Sequence, residues 1–271
     1  MIIIGEKING AIPRVAEAIR SRNQALIEEL VAKQLAAGAN YLDVCAGSSP
    51  QEELEDLKWL VDVVQGCTDT PICIDSPDPR ILAAIVPYIS KPGIINSISG
   101  EGEKCEILLP ILRDNPQWQV VALCCDNQGI ASAAEDKIRI ALDLIRQAES
   151  YGVTPDRIHI DPLVLALSAV NTAANSFCEA VRRIKEAYPT VKITAALSNV
   201  SYGMPVRKLI NQNFLTLALA AGLDSGIVDP TNRTITETIY ATEALLGKDR
   251  LCRKYNTAYR KGLIGPIQEK K

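Results

Sequence analysis

The chain has 271 residues, 47% of them hydrophobic, and a formal charge of -3 with both signs interspersed, which suits one large domain able to bury a full core. No basic field is present to hold a nucleic-acid backbone or an anionic membrane surface, and no apolar run approaches the length of a membrane span. Eight cysteines lie scattered without a CxxC pair, so free, mostly buried thiols in a reducing cytoplasm are expected.

In chain order, the start Met1-Ile2-Ile3-Ile4-Gly5-Glu6 has no basic leader and reads as a first strand rather than a signal peptide. The stretch from Ile12 to Ala37 is long enough for two helices, with a break near Ser21-Arg22-Asn23. Tyr41-Leu42 then runs into Asp43. Ser49-Pro50-Gln51-Glu52 has the composition of a capping box ahead of Leu54, Leu57, Leu60, Val61 and Val64. Ile72-Cys73-Ile74 ends at Asp75, and Asp78-Pro79 opens another helix. Gly93-Ile94-Ile95 ends at Asn96, and Val120 to Cys125 ends at Asp126. Ser132-Ala133-Ala134-Glu135 repeats the capping pattern, with Gly152 closing that helix. Ile158-His159-Ile160 ends at Asp161, Ile193 to Leu197 is followed by Asn199, and Ser225 to Val228 ends at Asp229. Residues 263–271 read as a loose tail after a domain spanning 1–262.

Strands thus start roughly thirty residues apart with helices between them, as eight βα units filling about 250 residues would require. The expected fold is α/β, a single (β/α)8 TIM barrel, and closure gathers the polar strand ends at one mouth. A doubly wound open sheet uses the same units, but even spacing favours closure. Gly5-Glu6-Lys7-Ile8-Asn9-Gly10 does not supply the dinucleotide-binding G-x-G-x-x-G pattern.

That mouth is rich in Asp and Asn, while His159 is the chain's one histidine. A barrel metallohydrolase draws on several His ligands, so no metal is expected. His159 alternates with Ile158 and Ile160, so a packed, hydrogen-bonded ring is favoured over a general base. Cys124 and Cys125 point to opposite faces and read as buried small hydrophobes. Carboxylates that accept paired N–H donors, together with amides that donate and accept, suit a flat heterocycle such as a pterin. Sugars and amino acids also suit them. An Asp or Asn just past a strand also serves as a helix cap, and taken singly each position is open to that reading.

Gly5-Glu6-Lys7-Ile8-Asn9-Gly10, Ile74-Asp75-Ser76, Ile94-Ile95-Asn96-Ser97, Asp161-Pro162-Leu163-Val164-Leu165 and Leu197 to Arg207 occur in one order between residue 2 and about residue 250. Together they resemble the methyltetrahydrofolate:corrinoid protein methyltransferase family, pterin-binding barrels related to the folate domain of cobalamin-dependent methionine synthase. The resemblance implies that Asp75, Asn96 and Asp161 hydrogen-bond the pterin ring and that Asn199 reaches N5, with Ser198, Arg207, Asn9 and Asp43 also placed on the substrate side. For Arg207, pairing with a buried carboxylate, holding the Asn199 loop and meeting the folate's glutamate tail are all open, the loop role being favoured.

It further implies that tetrahydrofolate or 5-methyltetrahydrofolate is the substrate, that a methyl group moves between N5 and a corrinoid in either direction, and that the enzyme is a homodimer. The usual corrinoid lower-ligand motif is D-x-H-x-x-G, whereas Arg157 stands two positions before His159. The corrinoid is therefore expected on a separate cobalamin-binding partner protein, with Trp59 and the outer helix faces as places to seek interfaces. The family's Asp-x-Asn-x-Gly after strand two is here Asp43-Val44-Cys45-Ala46-Gly47, a weakly donating thiol replacing an amide. Two alternatives stand beside this reading: dihydropteroate-synthase-like chemistry, whose Asn-x-Thr-Pro-Asp-Ser-Phe pattern is missing near Gly5, and a non-catalytic folate-binding or corrinoid-docking module.

Overall fold

The computed structural model describes residues 1–266. Among them the strands are β1 (Ile2–Asn9), β2 (Tyr41–Cys45), β3 (Ile72–Asp75), β4 (Ile94–Gly100), β5 (Gln119–Asp126), β6 (Gly129–Ile130), β7 (Ile158–Asp161), β8 (Lys192–Ile193) and β9 (Ser225–Val228). All but β6 pair in parallel, in the order β8-β7-β5-β4-β3-β2-β1-β9. The circle closes where Asp224 N–H donates to Ile193 O and Ile227 N–H to Ala195 O, both at 3.0 Å, and Ala196 pairs with Ile227. This is a single TIM barrel. β6 turns back antiparallel on β5 as a short hairpin above the rim.

The helices are α1 (Pro13–Arg20), α2 (Gln24–Ala36), α3 (Glu53–Cys67), α4 (Pro79–Ile85), α5 (Lys104–Asp114), α6 (Ala134–Ser150), α7 (Ala173–Ala187), α8 (Arg207–Ala221), α9 (Arg233–Leu245) and α10 (Arg253–Arg260). α1 and α2 part at Arg22, whose φ is 52°, and Asn23 Oδ1 accepts from Leu26 N–H at 3.2 Å to start α2. Asp78 caps α4 through Arg80 N–H at 2.8 Å, as its place before Pro79 suggests.

The two capping boxes do not form. Ser49 Oγ donates to the Glu52 carboxylate at 2.8 Å instead of accepting an amide, and α3 starts at Glu53. Ser132 lends only its carbonyl, to Ser176 Oγ, while Glu135 pairs with Arg183 and α6 opens without a side-chain cap. Glu52 thus takes up the Ser49 hydroxyl, and Arg183 the Glu135 carboxylate, that the boxes would have used. The segment read as a loose tail begins docked: Ile264 is 3% exposed, and Arg233 donates to Gly262 O and Gly265 O at 3.0 and 2.6 Å. Residues 267–271 lie outside the described residues.

Strand residues facing the helices, such as Leu42, Val44, Ile74, Ile95 and Ile160, join one large core. The lumen holds a smaller plug of Ile4, Cys73, Ile94 and Val121, so the barrel interior is packed. Below it, at the strands' N-terminal ends, lies a polar floor. Tyr41 Oη accepts from Gln119 Nε2 at 2.9 Å, and Gln119 Oε1 meets His159 Nε2 at 2.9 Å and Lys192 Nζ at 3.1 Å. His159 Nδ1 meets Ser225 Oγ at 2.9 Å. Burial, reinforced by Lys192, pushes the His159 pKa down to about 3 and keeps the ring neutral. Both ring nitrogens are engaged at the end opposite the polar mouth, so this histidine is structural.

Candidate functional site

At the C-terminal ends of the strands the parallel register sets Cys45 beside Asp75 and Asp75 beside Asn96. Side chains alternate along a strand, so Asp43, two residues before Cys45, shares its face. Asn96 Nδ2 donates to Asp43 Oδ1 at 3.4 Å. Asp43, Asn96 and Asp161 are buried. Burial raises the Asp43 carboxyl well above the usual carboxylate range, and neighbouring Asp75 raises it further. Asp75 is raised to about 6 by burial against the opposing hydrogen bond of the Cys45 thiol. That thiol therefore occupies itself with Asp75. Burial likewise raises Asp161 to about 6, against the N–H groups of Leu163 and Ala196 and the charge of Lys137.

Strand β1 contributes a fifth polar position. It runs through Glu6 with a register shift between Gly5 and Ile8. The displaced Lys7 N–H donates to Gln34 Oε1 at 3.0 Å, and Lys7 Nζ pairs with Asp229 at 3.2 Å. Glu6 is raised to about 7, first by burial and then by Asp229, with Lys7 and Arg207 opposing. The glycines of this segment are dictated by space. A Cβ on Gly10 would fall 1.7 Å from Ala46 O, and one on Gly5 2.4 Å from Gln34 Oε1.

The loops after β7 and β8 form one knitted wall. Asp161 Oδ1 accepts from Leu163 N–H at 2.7 Å, and the Ala196 amide, just before the Asn199 turn, also donates to Asp161. Leu167 N–H donates to Val200 O at 3.0 Å, and Ser168 Oγ to Tyr202 O at 2.8 Å. Arg207 Nε donates to Ser201 Oγ at 3.0 Å and Nη2 to Ser198 O at 2.8 Å. The Asn199 backbone is held between Ala196 O and Tyr202 N–H, while its side chain is exposed.

The structure thus brings Asp43, Asp75 and Asn96 together on adjoining strands, with Asp161 on β7 and Ser198, Asn199 and Arg207 in one braced loop. Arg207 holds that loop, as favoured from sequence. Asn9 is engaged locally: its Oδ1 accepts from Ala11 N–H at 2.8 Å. Asp126 is likewise a turn residue, accepting from Gln128 N–H at 2.9 Å and facing Arg139 at 3.3 Å. The face of Trp59 is covered by the Arg22 guanidinium, 5.1 Å from the ring centre. Sequence reasoning missed Lys137 and the Glu6 bulge. Glu6 was visible as a polar strand residue, but no local pattern marks Lys137.

Chemically, the mouth is a set of carboxyls held in water-poor surroundings. A ligand edge that supplies N–H donors stabilises their ionised forms, which burial alone disfavours. Among the described residues no group of three or more His, Cys, Asp or Glu side chains is placed to hold a metal ion, and no helix is long and apolar enough to cross a membrane.

A barrel with buried acceptors at its C-terminal mouth and the glycine-constrained β1 segment defines a class, and residues 14–229 match the family model for pterin binding enzyme. The chain belongs to that family. It is 52% identical over 271 residues, all of both chains, to the methylcorrinoid:tetrahydrofolate methyltransferase of Eubacterium limosum. It is 29% identical over 240 residues to methionine synthase of Mycobacterium leprae (strain TN), a match covering 84% of this chain and 20% of that protein. Among solved structures, the dihydropteroate synthase of Xanthomonas albilineans in complex with 7,8-dihydropteroate superposes with a TM-score of 0.66 at 17% identity, over 90% of this chain and 92% of that one. That last likeness concerns the fold.

Proposed function

We propose that this chain is a methyltransferase that moves a methyl group between a corrinoid carried by a separate protein and N5 of tetrahydrofolate. The observation that carries this reading is the full-length 52% identity to the Eubacterium limosum enzyme. The mouth suits it: buried carboxyl acceptors for a flat ring, and an exposed amide on a braced loop.

In this reading Asp75, Asn96 and Asp161 bind and orient the pterin ring, with Asp43 fixing Asn96 from behind. A carboxylate accepting two ring N–H groups selects one ring orientation, and orientation converts an encounter into an aligned displacement. The corrinoid supplies the methyl group or the nucleophile that takes it. For methyl transfer to tetrahydrofolate the N5–CH3 bond would form as the methyl group leaves the corrinoid, which would keep the bonding electron pair, and the N5 proton would go to solvent. In reverse, neutral N5 is a poor leaving group until a hydrogen bond or proton relieves its developing negative charge. The Asn199 N–H supplies that hydrogen bond without titrating, and it strengthens as charge builds. Ser198 and Arg207 act by holding the Asn199 turn in place.

The corrinoid belongs to the partner. His159, the one histidine, has both nitrogens committed in the barrel floor and cannot serve as a lower ligand. The enzyme acts in one-carbon metabolism in the cytoplasm, a location that its free thiols suit, and as a homodimer, which Leu217 and Leu245 support by lying exposed on α8 and α9. Anaerobic incubation with cob(I)alamin and 5-methyltetrahydrofolate, followed by absorbance, tests the activity. Methylcobalamin is expected to appear; none at enzyme concentrations matching the substrate would overturn the reading.

A further inference from the structure

Helix α6 buries a lysine where physical chemistry disfavours one. Lys137 is 1% exposed and sits in the first turn of a helix, where the backbone dipole opposes a cation. An apolar side chain of similar volume would pack there without the cost of stripping water from an ammonium group. Its charge therefore has a specific use. The Nζ atom donates to Pro162 O and to Leu163 O, each at 2.6 Å. Those carbonyls point the same way because Leu163 is left-handed, with φ 52°, a conformation unfavourable for a side chain of this type. The same turn directs Leu163 N–H onto Asp161 Oδ1 at 2.7 Å.

We propose that Lys137 is a positioning residue for the substrate: its ammonium clamps the Asp161-Pro162-Leu163 turn and holds Asp161 as an ionised carboxylate ready to accept ligand N–H donors. This rests on the assignment of Asp161 to the pterin ring. The groups facing Asp161 are Lys137 from α6, the Cys124 thiol from β5, Leu163 N–H from its own loop and the Ala196 amide after β8. Burial keeps the thiol protonated and lowers the Lys137 pKa from its ordinary value, a fall that Asp161 opposes; as an ammonium, Lys137 is the cation that joins the Leu163 and Ala196 N–H groups in opposing the rise of Asp161. Without it, Asp161 holds its proton to higher pH, and a ligand arriving at neutral pH meets the carboxylic acid more often than in the wild type.

The test is tetrahydrofolate affinity by calorimetry between pH 5.5 and 9 for the wild type, Lys137→Gln, Lys137→Met and Asp161→Asn. Gln keeps N–H donors for the two carbonyls and removes the charge; Met removes both. For Lys137→Gln the acid limb of binding should move to higher pH, with affinity about two- to tenfold weaker at pH 7, as removing one opposite charge implies, and recovered by pH 9. Lys137→Met should also lose affinity at pH 9. A Lys137→Gln profile superimposable on the wild type, or a loss equal at every pH, overturns the proposal. If Asp161→Asn binds as tightly as the wild type, the assignment of Asp161 fails instead, independently of Lys137. If neither Lys137 variant folds, carbon-13 titration of the Asp161 carboxyl in the wild-type protein decides. A midpoint at or below about 6 supports the proposal, and one above 7 overturns it.

Discussion

Asp161→Asn should make the ligand-free protein more stable while abolishing tight folate binding. Burial raises the Asp161 carboxyl from 3.8 to about 6 in the folded chain, so ionisation at pH 7 opposes folding. A rise of about two units corresponds to about 3 kcal/mol, an upper limit for one group. The sign follows from linkage: with the folded pKa raised, this group's stabilising contribution is complete below 3.8 and is lost as pH rises through about 6. Asparagine keeps an oxygen for Leu163 N–H but cannot ionise. Its advantage should therefore grow between pH 4 and pH 7, up to about 3 kcal/mol, and level off above. Urea denaturation of both proteins at pH 4.5, 6 and 7.5 measures this directly. An advantage independent of pH, or an Asn variant less stable at pH 7.5 than the wild type, would refute the reasoning. The acid limb of ligand binding should mirror it, since the ligand restores the ionised form.

Arg207→Met removes the donors to Ser201 Oγ and Ser198 O and should lower kcat about tenfold or more through a loosened Asn199 turn, with the tetrahydrofolate Kd changing less than threefold, in single-turnover and equilibrium titrations. His159→Leu leaves Gln119 and Ser225 without their ring partner and should cost about 1–3 kcal/mol in thermal or urea unfolding, with kcat/KM per folded molecule unchanged. Because the His159 pKa is depressed from 6.5 to about 3, its contribution is present above pH 6.5 and lost as pH falls toward 3, so the wild-type advantage should shrink on acidification. Cys45 lines the mouth, yet burial, Asp75 and Asp43 hold its thiol protonated. Iodoacetamide at pH 8 should modify exposed Cys252 well before Cys45, as mass spectrometry of timed digests would reveal.

Much of the fold is legible in the sequence because parallel barrel strands are buried on both faces and appear as short apolar runs ending in polar residues. The order Asp43, Asp75, Asn96 along the chain becomes adjacency around the mouth once the strands pair in sequence, with Asp161 following after one intervening strand. The split of residues 12–37 into two helices was equally visible at Ser21-Arg22-Asn23. The rest depends on partners distant in sequence. Lys137 reaches the carbonyls of residues 25 and 26 positions later, and nothing beside it in α6 signals that. The polar floor unites Tyr41, Gln119, His159, Lys192 and Ser225, each within an ordinary strand. The capping boxes failed because distant or competing partners took their polar groups: Glu52 takes the Ser49 hydroxyl, and Arg183, 48 positions on, takes Glu135. The seventh barrel strand is regular only over Lys192–Ile193, with single backbone bonds carrying it on to Ala196 before the turn bearing Asn199.

The strand ends are thus unequal: a carboxylate and amide clamp on one side and one exposed amide, Asn199, on a loop that Arg207 braces. Single-turnover methyl transfer together with the tetrahydrofolate Kd, measured on Asn199→Ala, tests that division most directly. The account predicts a rate lower by about 10²-fold or more with a Kd within a few-fold of the wild type. A variant that transfers methyl groups at the wild-type rate, or one whose loss lies wholly in binding, would contradict it.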